Sequence, residues 1–352
     1  MATLVMQALG CDVAAVNTVQ YSNHLGYRQA KGPKTKAEEI SEIYAGLQQS
    51  YLTDFDVLLS GYAPSAEAVQ AVGAIARDLK LQASTKAGSF FWGKGKADDT
   101  IVLDPVMGDD GRLYVNENVV PVYKSLLKDA DLILPNQFEL ELLSGVQITS
   151  IETLVEAISK LHKEHRIPHI IVTSVHFAEF PSTVSVFGST ARSDLSPRLF
   201  KIQVPSIDCY FAGTGDMFAA LTVVRLREAI TNAGLTERRR WISPDDVPCT
   251  DLPLASATER VLGSMHSVLT KTKEARDEEL EKMSGPLGAL DKEKDSEKRL
   301  HLRRTKAAEV RIVRCLKYLR DPEVDYKAVA VDLSEDPSAD VEELTEDLAA
   351  AT

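Results

Sequence analysis

An α/β fold built on a mainly parallel central sheet is predicted by two patterns in this sequence. Short apolar runs alternate with amphipathic helical stretches through most of its 352 residues, the mark of βαβ units whose helices cover a sheet. Polar clusters follow the apolar runs, where open parallel sheets hold ligands beyond the carboxyl ends of their strands. A hydrophobic content of 44% supplies a full core.

Met1 to Leu9 reads as a helix end and Asp12 to Gln20 (DVAAVNTVQ) as a strand. Ala37 to Ser50 is a helix with Ile40, Ile43, Tyr44 and Leu47 on one face. Phe55 to Ser60 is a short strand ended by Gly61, and Ala66 to Leu79 a helix with Val69, Val72, Ile75 and Leu79 near the helical period. Thr100 to Leu103 is a strand stopped by Asp104-Pro105, and Leu132 to Leu134 one stopped by Pro135-Asn136. The Phe138 to Leu143 helix fits a capping box of Asn136 and Glu139. Ile151 to His165 is a helix and His169 to Thr173 a strand. Val184 to Phe187 and Leu199 to Val204 form a hairpin. Helices follow at Gly215 to Ile230 and Ala255 to about Ala275.

The remaining stretches are expected to be irregular. Thr236 to Leu252 reads as a surface loop whose Arg238-Arg239-Arg240 cluster is solvated. Asp277 to Arg299 is charge-rich, with Gly and Pro near its middle, and reads as a flexible insert. Val310 to Val313 is read as an edge strand, with a helix continuing from Leu300 as its rival; Asp332 to Thr352 is an acidic, disordered tail. The expected organisation is a main domain over 1–276, the insert at 277–299, a helix and edge strand completing the domain over 300–331, and the tail at 332–352.

Composition excludes several classes of function. A net charge of −12 argues against nucleic acid or an anionic membrane as main partner. Cys11, Cys209, Cys249 and Cys315 are too dispersed for a zinc site or disulfide framework. No apolar stretch approaches membrane-spanning length, and MATLVMQALG lacks the basic start and cleavage site of a signal peptide. A cytoplasmic protein is expected, with the nucleus also open to it.

The stretch Gly213-Thr214-Gly215-Asp216 carries the most chemistry. Two glycines open a helix whose first turn holds a carboxylate. Free N–H groups at a helix start bind anionic oxygen, and glycine lets the backbone approach closely. Asp216 is placed to take a proton from an attacking hydroxyl, which suggests phosphoryl transfer from a nucleotide to a small alcohol. The alternative is a helix start whose aspartate complements the dipole. Five further polar clusters follow expected strands: Gln20 to His24, Ser60-Gly61-Tyr62, Asp104 to Asp109, Pro135 to Glu139, and Thr173-Ser174. Singly each has an ordinary explanation: Tyr21 and Tyr62 as core aromatics, His24 as a turn histidine, Asp104 as a strand end.

Together, VNTVQYSNHLGY, LLSGY, LDPVMGD, LPNQFELELLSG and FAGTGDMFAA resemble the pyridoxal kinases of the ribokinase-like superfamily. The similarity runs from Met1 to about Lys273 and weakly again over Glu309 to Glu323. It implies a three-layer α/β/α architecture and ATP-dependent phosphorylation of the 5′-hydroxyl of pyridoxal, pyridoxine or pyridoxamine, in pyridoxal 5′-phosphate salvage. By this resemblance Asp216 is the catalytic base; beside the helix N-terminus, whose dipole favours the charged form, it is expected to stay ionised and to be a weak base. Gly213, Thr214 and Gly215 form an anion hole for the γ-phosphate. Asp104 and Glu139 organise Mg²⁺ directly or through water. Asp109, Asn136, Thr173, Ser174 and Thr214 contact ATP, and Asp104 and Thr173 lie near a monovalent cation such as K⁺. Tyr21, His24 and Tyr62 shape the pyridine pocket, with Asn23 beside them. Asp109 to Val115 forms part of a flap that excludes water, and a homodimer is implied.

The sequence also departs from the resemblance. The family opens with a strand and a glycine-bearing turn ahead of the point where Met1 aligns, so low stability or weak activity is expected. Leu25 stands where many relatives carry a threonine that can bond substrate. Ala87 to Asp99 is longer than usual, and its Phe90, Phe91 and Trp92 are expected to pack over the sheet edge or between subunits. The rival functions are a kinase for a hydroxymethylpyrimidine-type alcohol and a truncated, non-catalytic nucleotide or B6-binding protein.

Overall fold

Apolar runs buried on both faces make the central sheet of this computed structural model, which describes residues 1–86, 100–176, 182–284 and 297–331. The elements in chain order are α1 (Ala2–Ala8), α2 (Ala37–Gln49), β1 (Val57–Ser60), α3 (Ala66–Lys86), β2 (Thr100–Leu103), β3 (Gly108–Asp109), β4 (Arg112–Leu113), α4 (Val119–Leu126), β5 (Leu132–Ile133) and α5 (Gln137–Ser144). They continue with α6 (Ile151–His165), β6 (His169–Val175), β7 (Thr183–Ala191), β8 (Pro197–Pro205), α7 (Thr214–Asn232), α8 (Pro253–Ser284), α9 (Glu297–Ala307), α10 (Leu316–Arg320) and β9 (Val329–Ala330).

The seven-stranded sheet has the order β1-β2-β5-β6-β7-β8-β9. Strands β1, β2, β5 and β6 pair in parallel; β7 is antiparallel to β6 and β8 to β7, so β8 points the same way as β1. The carboxyl ends of β1, β2, β5, β6 and β8 therefore share one rim. Consecutive residues of β2, β5 and β6 bury opposite faces: Val102, Leu132 and Ile171 join α7 and α8 in one core, and Leu103, Ile133 and Ile170 join α3 to α6 in another. Continuous apolar strands are what a doubly covered sheet requires.

Several expectations are corrected. Asp12–Gln20 is not a strand: one bridge, Val19 to Lys34, is its pairing among the described residues. Strand propensity makes a strand only where a neighbour exchanges backbone hydrogen bonds, and β1 pairs on one side only. Helix α8 continues past the expected start of the charged insert, because Lys271–Glu274, Lys273–Asp277 and Glu278–Lys282 pair one turn apart. Ile312–Cys315 is a 3-10 turn rather than an edge strand or a continued helix, and the edge strand is β9. Arg240 is not solvated. Its guanidinium bonds Asp131 Oδ1 at 2.6 Å, Arg166 O at 2.8 Å and Ala130 O at 2.5 Å, which ties the 236–252 loop to the rim opposite the site. Phe90, Phe91, Trp92, the middle of the insert and the 332–352 tail lie outside the described residues. All four cysteines are free, and no helix of the described residues is long and apolar enough to cross a membrane.

Candidate active site

The start of α7 presents bare backbone amides. Gly213 precedes it in the left-handed conformation, φ +80°, which glycine adopts at little cost. No side chain caps the helix, and Met217 N–H donates to Gly213 O at 3.1 Å. The N–H groups of Thr214, Gly215 and Asp216 thus have no intrahelical acceptor. A methyl group on Gly215 would meet no atom within 4 Å, so the space beside these amides is open.

Three carboxylates converge next to that space. Asp216 is partly buried, and burial raises its pKa more than the nearby Met1 ammonium lowers it. It is therefore a stronger base than the dipole argument alone implied. A Cβ built on Gly61, just after β1, would lie 4.0 Å from Asp216 Oδ1. Asp104, just after β2, is buried, and its pKa is pushed well above the usual range by desolvation, then by Glu139 and Asp216. Glu139 is buried in the first turn of α5. Its Oε1 accepts from Met107 N–H at 2.8 Å and Gly108 N–H at 3.4 Å, and its Oε2 from Asn136 N–H at 3.0 Å. Desolvation outweighs those three bonds and lifts it to about 7.

Carboxylates gathered in this way favour a hard divalent cation, whose charge offsets both desolvation and mutual repulsion. Glu139 already spends its oxygens on amides, which suits contact with an ion through water. Among the described residues, no cluster of three or more His, Cys, Asp or Glu is arranged to hold an ion directly.

The capping box expected at α5 is present and has a second use. Asn136 Oδ1 accepts from Glu139 N–H at 2.9 Å, while its Nδ2 donates to Gly108 O at 2.7 Å. One side chain thereby joins the helix start to the β3–β4 hairpin. That hairpin carries Asp109 and leads to Tyr114, whose pKa burial and the neighbouring Asp109, Tyr210, Asp110 and Glu139 push up to about 12. Thr173 and Ser174 sit where the β6–β7 register shifts, a bulge that re-aims side chains at a strand end. Tyr62 follows Gly61; burial and then the neighbouring Tyr21 raise its pKa.

His24 is placed differently from its expected neighbours. Its Nε2 lies 3.2 Å from Glu309 Oε1 and its ring centroid 4.7 Å from that of Tyr27. Tyr27 in turn donates to Glu309 Oε1 at 2.8 Å. The Leu25–Tyr27 turn is thereby fastened to the segment after α9. Sequence reading missed Glu309, which carries no local signal, and Tyr123. The Tyr123 hydroxyl is buried without a hydrogen-bond partner and is electrostatically coupled to Asp104, Glu139 and Tyr62. On the sequence Tyr123 is one apolar position of an amphipathic helix; its buried, unpaired oxygen is the signal that only coordinates reveal.

Comparison with known proteins supplies independent findings. A family model described as phosphomethylpyrimidine kinase matches residues 91–233. A putative pyridoxal kinase of Schizosaccharomyces pombe is 36% identical over 272 residues, 77% of this chain and 79% of that protein. The pyridoxal kinase of Homo sapiens is 31% identical over 285 residues, again 77% of this chain and 79% of that protein. Among solved structures, pyridoxal kinase from Leishmania donovani in complex with ADP superposes with a TM-score of 0.73 at 27% identity, covering 94% of this chain and 93% of that one.

Proposed function

This chain belongs to the pyridoxal kinase family, and from that premise we propose that it transfers the γ-phosphoryl group of ATP to the 5′-hydroxyl of a B6 vitamer. The observation that carries the proposal is the meeting of Asp216, raised by burial, with the free amides of Thr214 and Gly215 at the carboxyl rim of the sheet. The Leishmania donovani enzyme has been solved with ADP and pyridoxamine together, which supports the same pair of ligands here.

Asp216 takes the proton of the 5′-hydroxyl as its oxygen attacks phosphorus. The α7 amides stabilise the charge that gathers on the transferring group. Tyr21 and Tyr62 hold the pyridine ring by stacking or edge contact, with His24 on the loop beside them. Asp109, Asn136, Thr173 and Ser174 face ATP, and the β3–β4 hairpin shields it from water. Asp104 and Glu139 would hold Mg²⁺, directly or through water, and the ion would neutralise phosphate charge. A monovalent cation such as K⁺ near Asp104 and Thr173, a homodimer and a cytoplasmic location complete the reading.

The family-model match favours one rival, a pyrimidine alcohol as acceptor. Competition separates the two: with both alcohols at equal concentration, ADP release and product mass should report phosphorylated vitamer. Preferential phosphorylation of hydroxymethylpyrimidine would overturn the assignment.

A further inference from the structure

A cavity of about 440 Å³ opens beside the loop that carries His24, between the Leu25–Tyr27 turn, the Cys209-Tyr210 segment that leads from β8 to α7, α8 and α9. Its volume lies in the range of small-molecule sites. Its walls are cationic although the chain carries a net charge of −12: Arg28, Arg276 and Arg304 line it, with His301 beside them. Arg276 is neutralised by Asp277 at 2.7 Å. The guanidiniums of Arg28 and Arg304 have no ion pair or hydrogen bond among the described residues. Arg28 comes from the substrate loop, where it adopts φ 55°, and Arg304 from α9. His301 Nε2 donates to Gly26 O at 3.0 Å and holds the two walls together. The Tyr210 side chain, 75% exposed, also lines the cavity, close enough to Gly26 that a Cβ there would lie 3.5 Å from its ring.

Two unpaired guanidiniums from separate elements form a receptor for a dianion, because each can bond two oxygens of one phosphate. An exposed aromatic ring beside them selects for a flat partner. We infer that this cavity is a second ligand site, separate from the α7 amides, which binds a phosphate monoester of a flat heterocycle. A ligand bridging Arg28 and Arg304 holds the substrate loop against α9, so occupancy restrains the loop and slows turnover. This rests on the kinase reading for its consequence but not for its binding chemistry. Two sources share that chemistry: a phosphorylated pyridine such as the product, and a nucleoside monophosphate.

The test is calorimetry on the full chain with the kinase site filled by excess non-hydrolysable ATP analogue, Mg²⁺ and pyridoxine. Pyridoxine 5′-phosphate and adenosine monophosphate are titrated separately; the first avoids aldehyde reaction with lysines. One further equivalent should bind from at least one of them, and whichever binds identifies the source. Unphosphorylated pyridoxine should add no second equivalent. Arg28→Ala with Arg304→Ala should weaken the extra equivalent at least tenfold, and should leave the melting temperature near wild type. If the double variant fails to fold, Arg304→Gln alone should weaken binding severalfold. No extra equivalent, or one indifferent to these substitutions, overturns the inference. A chain without kinase activity that still binds the ester through Arg28 and Arg304 would refute the functional reading and leave this site standing. An active chain with no extra equivalent would do the reverse.

Discussion

At Gly215 the fold and the proposed chemistry make opposite demands. The residue lies in the first turn of α7, without the positive φ of Gly213, and an added methyl would meet nothing within 4 Å. For the fold alone, Gly215→Ala relieves the entropic cost of a helical glycine and should stabilise by about 0.5–1 kcal/mol. In a chain of this size that raises the melting temperature by about 1–3 °C. For the chemistry, the methyl fills space the γ-phosphate needs next to the amides. Displacing the phosphoryl oxygens from one such donor should lower kcat by about 100-fold or more. Gly213→Ala is the contrast: with φ +80° and Met1 Cε 3.0 Å from the new Cβ, it should destabilise by about 1–2 kcal/mol. The assays are a thermal melt and pyridoxal-dependent ADP release on the same preparations. A Gly215→Ala protein that melts at or above wild type and keeps kcat within twofold would show that phosphoryl transfer does not use this space.

Three other substitutions probe the surrounding structure. Glu139→Gln can present only one carbonyl oxygen to amides that now occupy both carboxylate oxygens; one buried N–H loses its acceptor, and denaturant unfolding should report a loss of about 1–3 kcal/mol. An unchanged midpoint would contradict that hydrogen-bond assignment. Buried His162, lowered to about 4 mainly by desolvation, donates from Nδ1 to Ile167 O at 2.6 Å and accepts at Nε2 from Ser189 at 2.8 Å. The unfolded chain takes up this proton near pH 6.5 and the folded chain only near 4, so its contribution, complete above 6.5, fades as pH falls. Between pH 7 and 5 it should cost about 2 kcal/mol, and His162→Gln should show a correspondingly shallower decline; an equal decline would exclude His162 as its source. Arg240→Ala breaks three bonds to the 130–131 turn and Arg166. Because it removes one of the two cations paired with buried Asp131, which keeps Lys80 and the Ile101 N–H, and takes the donor from Ala130 O, it should lower stability by about 1–3 kcal/mol with kcat unchanged, since it lies at the opposite rim; a selective loss of kcat would refute that placement.

What was legible in the sequence follows from how local each signal is. Ile151–His165 could be bounded because its helical pattern lies within the segment; the Ser150 Oγ that accepts from Thr153 N–H caps it in the structure. The α7 start and the Asn136–Glu139 box were legible for the same reason. Asp12–Gln20 was misread because strand identity resides in a neighbour, which composition does not encode. The true extent of α8 was obscured because its charged residues look like a solvated loop until their one-turn pairing is seen. Arg240, Glu309 and Tyr123 act through partners distant in sequence: Arg240 reaches Asp131, and Glu309 reaches Tyr27 and His24. Burial then decides the chemistry, since Asp104, Glu139 and Asp216 depart from ordinary carboxylates through desolvation first.

Transfer of phosphate to pyridoxal by wild type and Asp216→Asn, followed by product mass and paired with nucleotide affinity, tests the proton-acceptor role most directly. The account predicts pyridoxal 5′-phosphate from wild type, a loss of at least about 100-fold in kcat for the variant, and nucleotide affinity within a fewfold. Equal rates for the two proteins would contradict it.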